Sequence, residues 1–318
     1  MILHLPLLVL GLAFLAVAAD KFVTGAALVA ARLRISTVVA GALIIGFGTS
    51  APELVVSTLA TLTEGAEGTA LAMGNIVGSN VANLTLVLAI PVLVFKKAVR
   101  IEKGIKRQAA VSAVGVTIFA ALVFFAEPSR WWGLVLLVLA LAALGAVLWL
   151  GERFGGVPPP DTTEGVSPWV WAVVGLVGTV GFAYLVVWSA TSIADDLGWT
   201  GGFVGFALVG VGTSLPELAT VLAAARRNES GLILGNLLGS NLFNSLMVGA
   251  AVFFFNGATP YDEVSGLPGV PLLGMVFVSW GVILAMSTDK RIGWLEAAIL
   301  VIAYVGLLGW LTANFAVA

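Results

Sequence analysis

The sequence predicts an all-α polytopic membrane protein of about ten transmembrane helices, arranged as two five-helix repeats of inverted topology. Three observations carry that prediction: the apolar content, the placement of the positive charges, and a pair of duplicated motifs. Of 318 residues, 60% are hydrophobic and 10% charged, and the mean hydropathy is +1.09. Soluble domains carry about 25% charged residues, whereas a bilayer-spanning helix needs roughly 20 apolar ones. A water-soluble globule is therefore excluded. The 15 basic and 17 acidic residues nearly cancel, which argues against nucleic acid as a partner. The chain has no cysteine, hence neither disulfides nor thiolate metal sites. Its one histidine, His4, stands near the N-terminus, so His-ligated metals and Ser-His-Asp catalysis lack their residues and no enzyme is expected.

Apolar runs fall at 3–33, 36–62, 70–95, 108–126, 131–150, 168–194, 201–225, 230–255, 270–287 and 293–316. The first ends a stretch with Ala16-Val17-Ala18-Ala19, which resembles a signal-peptide cleavage site. No Lys or Arg precedes it, however, and the apolar pattern resumes from Phe22 to Ala31, so a retained helix is expected. The second run contains Gly46, Gly48 and Pro52, and the seventh contains Gly210, Gly212 and Pro216. Proline cannot donate a backbone hydrogen bond and clashes with the carbonyl four residues earlier, so helices 2 and 7 are expected to be broken. The third and eighth runs carry Gly74-x-x-x-Gly78 and Gly235-x-x-x-Gly239, a spacing that lets membrane helices pack closely. Between the fifth and sixth runs lies Gly151–Ser167, with Pro158-Pro159-Pro160. It divides the chain into a first repeat over 1–150, a linker over 151–167 and a second repeat over 168–318.

Lys and Arg are retained on the cytoplasmic side of a membrane. Alternate breaks hold Arg32 and Arg34, the Lys96–Arg107 cluster, Arg153, Arg226 and Arg227, and Lys290 and Arg291, thirteen of the fifteen basic residues. The opposite breaks hold only Arg130, beside Glu64, Glu67, Asp195, Asp196, Asp262 and Glu263. A ten-span protein of the cell membrane with both termini outside accounts for this, with the lipid bilayer as its surroundings. The Lys96–Arg107 cluster reads as a solvated surface that can meet anionic headgroups, and Asp20 with Lys21 reads as a local charge pair within helix 1.

The repeat is explicit. Residues 44–58 read IIGFGTSAPELVVST and 208–222 read LVGVGTSLPELATVL; 74–86 read GNIVGSNVANLTL and 235–247 read GNLLGSNLFNSLM. Upstream, Leu33–Ser36 matches Leu197–Thr200 at the offset that relates Glu53 to Glu217. Helices 2–3 thus correspond to helices 7–8. Five spans per repeat force the second copy to enter from the opposite face, a layout common in secondary transporters.

Glu53 and Glu217 fall at the expected helix breaks inside apolar spans. A carboxylate at mid-bilayer costs at least about 2.5–3.5 kcal/mol, so two of them require compensation. Lys21 has no counterpart in the second repeat and cannot serve both. Protonation is one solution for two neighbouring carboxylates. A bound cation is the other, and hard cations take oxygen ligands. Thr49, Ser50, Ser79, Asn80 and Asn83 accompany Glu53, while Thr213, Ser214, Ser240, Asn241 and Asn244 accompany Glu217. Such a set suits one calcium ion or two or more sodium ions.

GTSAPEL and GTSLPEL, each followed by G-N-x-x-G-S-N-x-x-N, resemble the two alpha-repeats of the calcium/cation antiporter superfamily, specifically its prokaryotic sodium/calcium exchanger branch. The resemblance implies that Glu53 and Glu217 ligate calcium with Thr49 and Thr213. It implies that Ser50, Ser79, Ser214 and Ser240 line flanking sodium sites, with Asn83 and Asn244 in central positions. It also implies that helices 1 and 6 slide against the rest. Related exchangers often carry aspartate where this chain has Asn244, which leaves two central carboxylates. The interval from Glu53 to Asn83 is three residues longer than that from Glu217 to Asn244, and the excess is assigned to the outer loop near Glu64–Gly68.

The expected function is exchange of calcium for sodium by alternating access, both ions being cargo and no resident cofactor being needed. A proton-coupled exchanger of calcium or another divalent cation, manganese and magnesium included, is the alternative, with a cation channel behind it. Oligomeric state is left open by the sequence and is compatible with a monomer.

Overall fold

The computed structural model describes residues 4–63, 65–102, 104–126, 129–152, 167–196, 211–256, 269–288 and 291–315. Nearly all of it is helical, as expected for backbone that has only itself to hydrogen-bond in lipid. In chain order these are α1 (His4–Leu33), α2 (Thr37–Thr63), α3 (65–95), α4 (Ile105–Phe125), α5 (Arg130–Glu152) and α6 (Pro168–Asp196), followed by α7 (Leu215–Arg226), α8 (Ser230–Asn256), α9 (Gly269–Thr288) and α10 (Trp294–Phe315). Among the described residues eight of these contain stretches long and apolar enough to cross a bilayer; the apolar part of α10 is shorter, and the short helical turn Val211–Thr213 with α7 is the described part of the expected seventh span. Residues 153–166 of the linker, the Leu197–Thr200 match, Gly210, Glu64, Lys103, Asp262, Glu263 and Lys290 lie outside the described residues.

Burial divides the helices into two classes. The spans of α3 and α8 are 78% and 83% buried, against 28% for α1, 22% for α5 and 28% for α6. The peripheral helices present an apolar outer surface, with Val138, Val177, Phe277 and Ile302 all more than three-fifths exposed. Hydrocarbon rather than water meets that surface. The centre is the contact of α8 with the first half of α2, where a Cβ on Gly239 would lie 2.5 Å from the Ala42 Cα. Packing of this kind is available to small residues alone. For Gly74 and Gly78 the corresponding segment, 205–210, lies outside the described residues. Around the periphery α1 packs antiparallel to α6, and a side chain at Gly175 would run into the backbone of Phe22.

The connections sort onto two faces. Thr37 Oγ1 donates to Glu102 Oε2 (3.2 Å), whose other oxygen accepts the Gly231 N–H (2.7 Å). Lys97 Nζ donates to Asn228 Oδ1 (3.0 Å), and Val99–Arg100 pairs antiparallel with Arg291–Ile292 as a two-stranded ribbon, β1 and β2. The start of α2, the α3–α4 link, the α7–α8 link and the α9–α10 link therefore share one face. These are the breaks that carry the basic residues. On the other face Thr69 Oγ1 donates to Asn256 Oδ1 (3.0 Å). Because α2 leaves the basic face and α7 returns to it, the two motif helices run in opposite directions.

Three local features differ from the sequence expectation. The helical ladder is loosened into π turns at Gly41–Gly46, Asn83–Val87 and Asn244–Val248, so α3 and α8 are irregular as well as α2. The residues assigned to an outer loop at 64–68 are helical from Gly65 onward and lengthen the start of α3. A running helix gains one hydrogen bond per added residue, so an insertion at its end is absorbed as helix. Asp20 and Lys21 are not partners of each other: Asp20 Oδ1 pairs with Arg227 (2.7 Å), and Lys21 Nζ sits over the Trp171 ring at 4.6 Å. Adjacent helical residues do not face one another, so each found a partner on another element.

Candidate cation site

The two duplicated motifs break their helices in the same way. Ser50 has φ −89°, ψ 2° and Ser214 has φ −88°, ψ 4°, each standing one residue before the Ala-Pro or Leu-Pro that restarts the helix. This is the bridge region between helix and strand. Pro52 and Pro216 have no N–H to return, and Glu53 and Glu217 follow them in the first turn of the new segment. Each carboxylate therefore stands just after the break of its own helix.

Both carboxylates are sealed from solvent, with Glu53 2% and Glu217 0% exposed. Glu217 Oε1 accepts the Ser50 hydroxyl (2.9 Å) and the Ser240 hydroxyl (3.4 Å). Ser240 also reaches Gly46 O (3.1 Å) and Asn236 Oδ1 (3.4 Å). In the other half, Ser79 donates to Asn75 Oδ1 (3.4 Å) and meets Thr213 Oγ1 (3.5 Å), while Thr213 also donates to Asn75 Oδ1 (3.2 Å). Thr49 returns its hydroxyl to the carbonyls of Ile45 (3.0 Å) and Gly46 (3.4 Å). Asn83 Nδ2 donates to Asn241 Oδ1 (3.1 Å), and Asn241 Nδ2 to Asn80 O (2.9 Å).

The π turns complete the arrangement. The turn beginning at Asn83 packs against α7, which carries Glu217, and the one beginning at Asn244 packs against the part of α2 that carries Glu53. Each repeat thus packs its π turn against the other repeat's glutamate-bearing helix. Residues Ser50, Glu217 and Ser240 form one contact group, Ser79, Thr213 and Asn75 a second, and Asn83 joins Asn241 across the repeats. Thr49, besides its contacts with the Ile45 and Gly46 carbonyls, also hydrogen-bonds the Glu217 carboxylate.

What remains unpaired is the informative part. Both oxygens of Glu53, Oε2 of Glu217, Oγ of Ser214, Oδ1 of Asn80 and Asn83, and both terminal atoms of Asn244 are buried with no hydrogen-bond partner. Each such atom costs about 1–3 kcal/mol, and more if charged. So many oxygens from matched positions in both repeats suit a hard cation, which takes six to eight oxygen ligands.

Asn75 and Asn236 belong to this network and were absent from the sequence-based set. Asn75 Nδ2 donates to Ser57 Oγ (3.2 Å) and Asn236 Nδ2 to Thr220 Oγ1 (2.9 Å), so each amide ties a motif helix to its neighbour. Their signal is present in the sequence: both stand in the duplicated G-N-x-x-G-S-N-x-x-N run, directly after the glycines read there as packing positions.

Comparison with known proteins agrees with this fold. The model of the sodium/calcium exchanger protein family matches twice, over residues 3–149 and 167–313. The chain is 33% identical over 312 residues to the putative antiporter CaxA of Alkalimonas amylolytica, covering 93% of this chain and 94% of that one. It is 26% identical over 352 residues to the sodium/calcium exchanger MaX1 of Methanosarcina acetivorans, covering 95% and 96%. Among solved structures, the sodium-calcium exchanger NCX_Mj soaked with sodium and calcium superposes with a TM-score of 0.82 at 30% identity, covering 97% of this chain and 98% of that one.

Proposed function

The chain belongs to the sodium/calcium exchanger protein family, and we propose that it exchanges calcium for sodium through the site shared by Glu53 and Glu217. It is a multi-pass membrane cation antiporter and not an enzyme; the finer assignment of the coupling ion is the proposal. The observation that carries it is the buried cluster of unpaired oxygens contributed by both repeats. Calcium needs both carboxylates at once. Sodium ions distribute the same oxygens over separate positions, with Thr49, Ser50, Ser79 and their counterparts Thr213, Ser214, Ser240 as neutral ligands. The two cargoes therefore compete for one set of atoms.

Competition is what makes the exchange obligatory. With cation bound, the two carboxylates are compensated; empty, they leave charge in low dielectric, where breaking a buried pair costs about 3–5 kcal/mol. Conversion between inward and outward access is thus favoured only when the site is loaded. Asn244, neutral where related exchangers carry aspartate, holds the formal site charge at −2, enough for one calcium. The basic face described above is assigned to the cytoplasm of a cell membrane, which places both termini outside.

Sodium-gradient-driven calcium uptake into proteoliposomes tests this. Glu53→Gln and Glu217→Gln should each lower uptake by at least about a hundredfold, from the cost of leaving one buried charge unbalanced. Near-normal uptake in both variants removes the site. Uptake driven by a pH gradient without sodium replaces sodium with the proton as the coupling ion, and a steady current with no counter-ion identifies a channel.

A further inference from the structure

On the basic face, the α3–α4 link, the start of α8 and the β1–β2 ribbon enclose a cleft of about 510 Å³. Lys97, Arg100 and Arg291 line it, with Asn228 and Ser230 as neutral polar groups and Phe95 at the apolar side. Among the described residues no carboxylate lines this cleft. Its two polar side chains are already directed: Asn228 accepts from Lys97, and Ser230 Oγ accepts the Arg100 N–H (3.1 Å). The nearby carboxylate of Glu102 is occupied by Thr37 and Gly231. Lys97 is thus held in place by a neutral amide.

A second cleft, of about 590 Å³, shares Lys97 and Arg291 and adds Lys96. Among the described residues its one carboxylate, Glu296, accepts the Gly293 N–H (2.9 Å) at the start of α10. This cleft opens beside side chains that water would not favour, with Trp294 68%, Leu295 61% and Val94 61% exposed. Tryptophan is enriched where a membrane meets water. A cationic floor and an apolar lip therefore stand side by side at one membrane face.

We propose that these joined clefts bind the phosphate of an anionic phospholipid headgroup, with Lys97, Arg100 and Arg291 around the phosphate and the acyl chains along Trp294, Leu295 and Val94. Basic pockets between membrane helices hold such headgroups through charge and phosphate-oxygen contacts. The ribbon joins the α3–α4 link to the α9–α10 link, and Ser230 begins α8, so a lipid here touches both repeats. The site is separate from the buried carboxylates and does not depend on which ion couples transport.

Native mass spectrometry of the full-length protein released from detergent, with phosphatidylglycerol or phosphatidylcholine added, tests the assignment. Phosphatidylglycerol should be retained in preference to phosphatidylcholine. A Lys97→Gln, Arg291→Gln double variant should lose roughly thirtyfold of that preference, as expected for removing two cations near an anionic lipid. Arg130→Gln, on the opposite face, should leave the preference unchanged. The wild-type comparison needs no variant to fold, so it stands alone. Equal retention of the two lipids overturns the proposal, as does wild-type preference in a monodisperse double variant. Displacement of the lipid by inorganic phosphate reassigns the pocket to a soluble phosphate and overturns the lipid occupant.

Discussion

The two half-sites start from nearly the same residues and reach different chemical states. Glu217 accepts hydroxyls from Ser50 and Thr49 of the opposite repeat and from Ser240 of its own. Neither oxygen of Glu53 accepts any, because Ser79, the counterpart of Ser240, gives its hydroxyl to Asn75 instead, and Ser214, the counterpart of Ser50, is left unpaired. The motif thus decides which atoms stand at the site, and the packing of one repeat on the other decides which carboxylate they satisfy. The half that lacks hydroxyl partners is the half with its oxygens free for a cation.

The difference extends away from the centre. Along α2, Glu53, Ser57 and Thr61 follow at intervals of four residues, all buried and all polar. Along α7 the same spacing from Glu217 leads to Val221, which is apolar and fully buried. Inversion sends these two linings toward opposite faces. The repeats therefore also differ in the polarity of the helix face that continues from each carboxylate.

The largest test of this contrast is at the serines. Ser50→Ala removes a hydroxyl that donates to a buried carboxylate, an interaction of about 1.5–3 kcal/mol, and should weaken calcium half-saturation by tenfold or more. Ser214→Ala removes a hydroxyl with no partner, and its loss should be several times smaller in the same transport assay. Equal losses would mean that the two halves contribute alike over the transport cycle, and the contrast would then belong to one state alone.

Next in size is the contact that lets the second repeat reach the first. Gly239→Ala places a methyl against the backbone of Ala42, and overpacking of this kind costs about 1–3 kcal/mol. Thermal unfolding in detergent should show a lower Tm, and calcium should protect the variant less than wild type, since adjacent Ser240 loses its reach to Glu217. Gly281→Ala, on the lipid-exposed side of α9, should leave both quantities unchanged. A Gly239→Ala protein with full stability and full calcium protection would show that the close approach does not position Ser240.

Much of this was legible in the sequence because charge is scarce there: two glutamates inside duplicated apolar motifs stand out against 10% charged residues. The motif also contained hydrogen-bonding partners: Ser50 and Ser240 reach Glu217, Ser79 meets Thr213, and Asn83 meets Asn241. Three things were not legible, each for a physical reason. Hydropathy carries no mark of a π turn, so the irregular starts at Asn83 and Asn244 emerged only in the structure. Asn75 and Asn236 lie beside glycines whose spacing also permits helix packing, and one pattern served both roles. The asymmetry between Glu53 and Glu217 depends on how the repeats meet, which no comparison of the two copies along the chain contains.

The smallest expected effect concerns a link between the repeats at the edge of the contrast. Asp20 of α1 pairs with Arg227, which ends α7, at 2.7 Å, and both side chains are more than a third exposed. Ion pairs so exposed contribute about 0–1 kcal/mol, because water and salt screen them. Asp20→Asn should therefore shift Tm little, and should shift it less still at high ionic strength. The contact nonetheless joins a peripheral helix of the first repeat to the basic face of the second, where α7 turns into α8. If α1 moves relative to α7 during transport, the pair must break once per cycle, and Asp20→Asn should change the rate of exchange while leaving calcium half-saturation untouched. An unaltered rate together with an unaltered Tm would mean that α1 and α7 stay together throughout, and that the movement separating the two half-sites lies elsewhere.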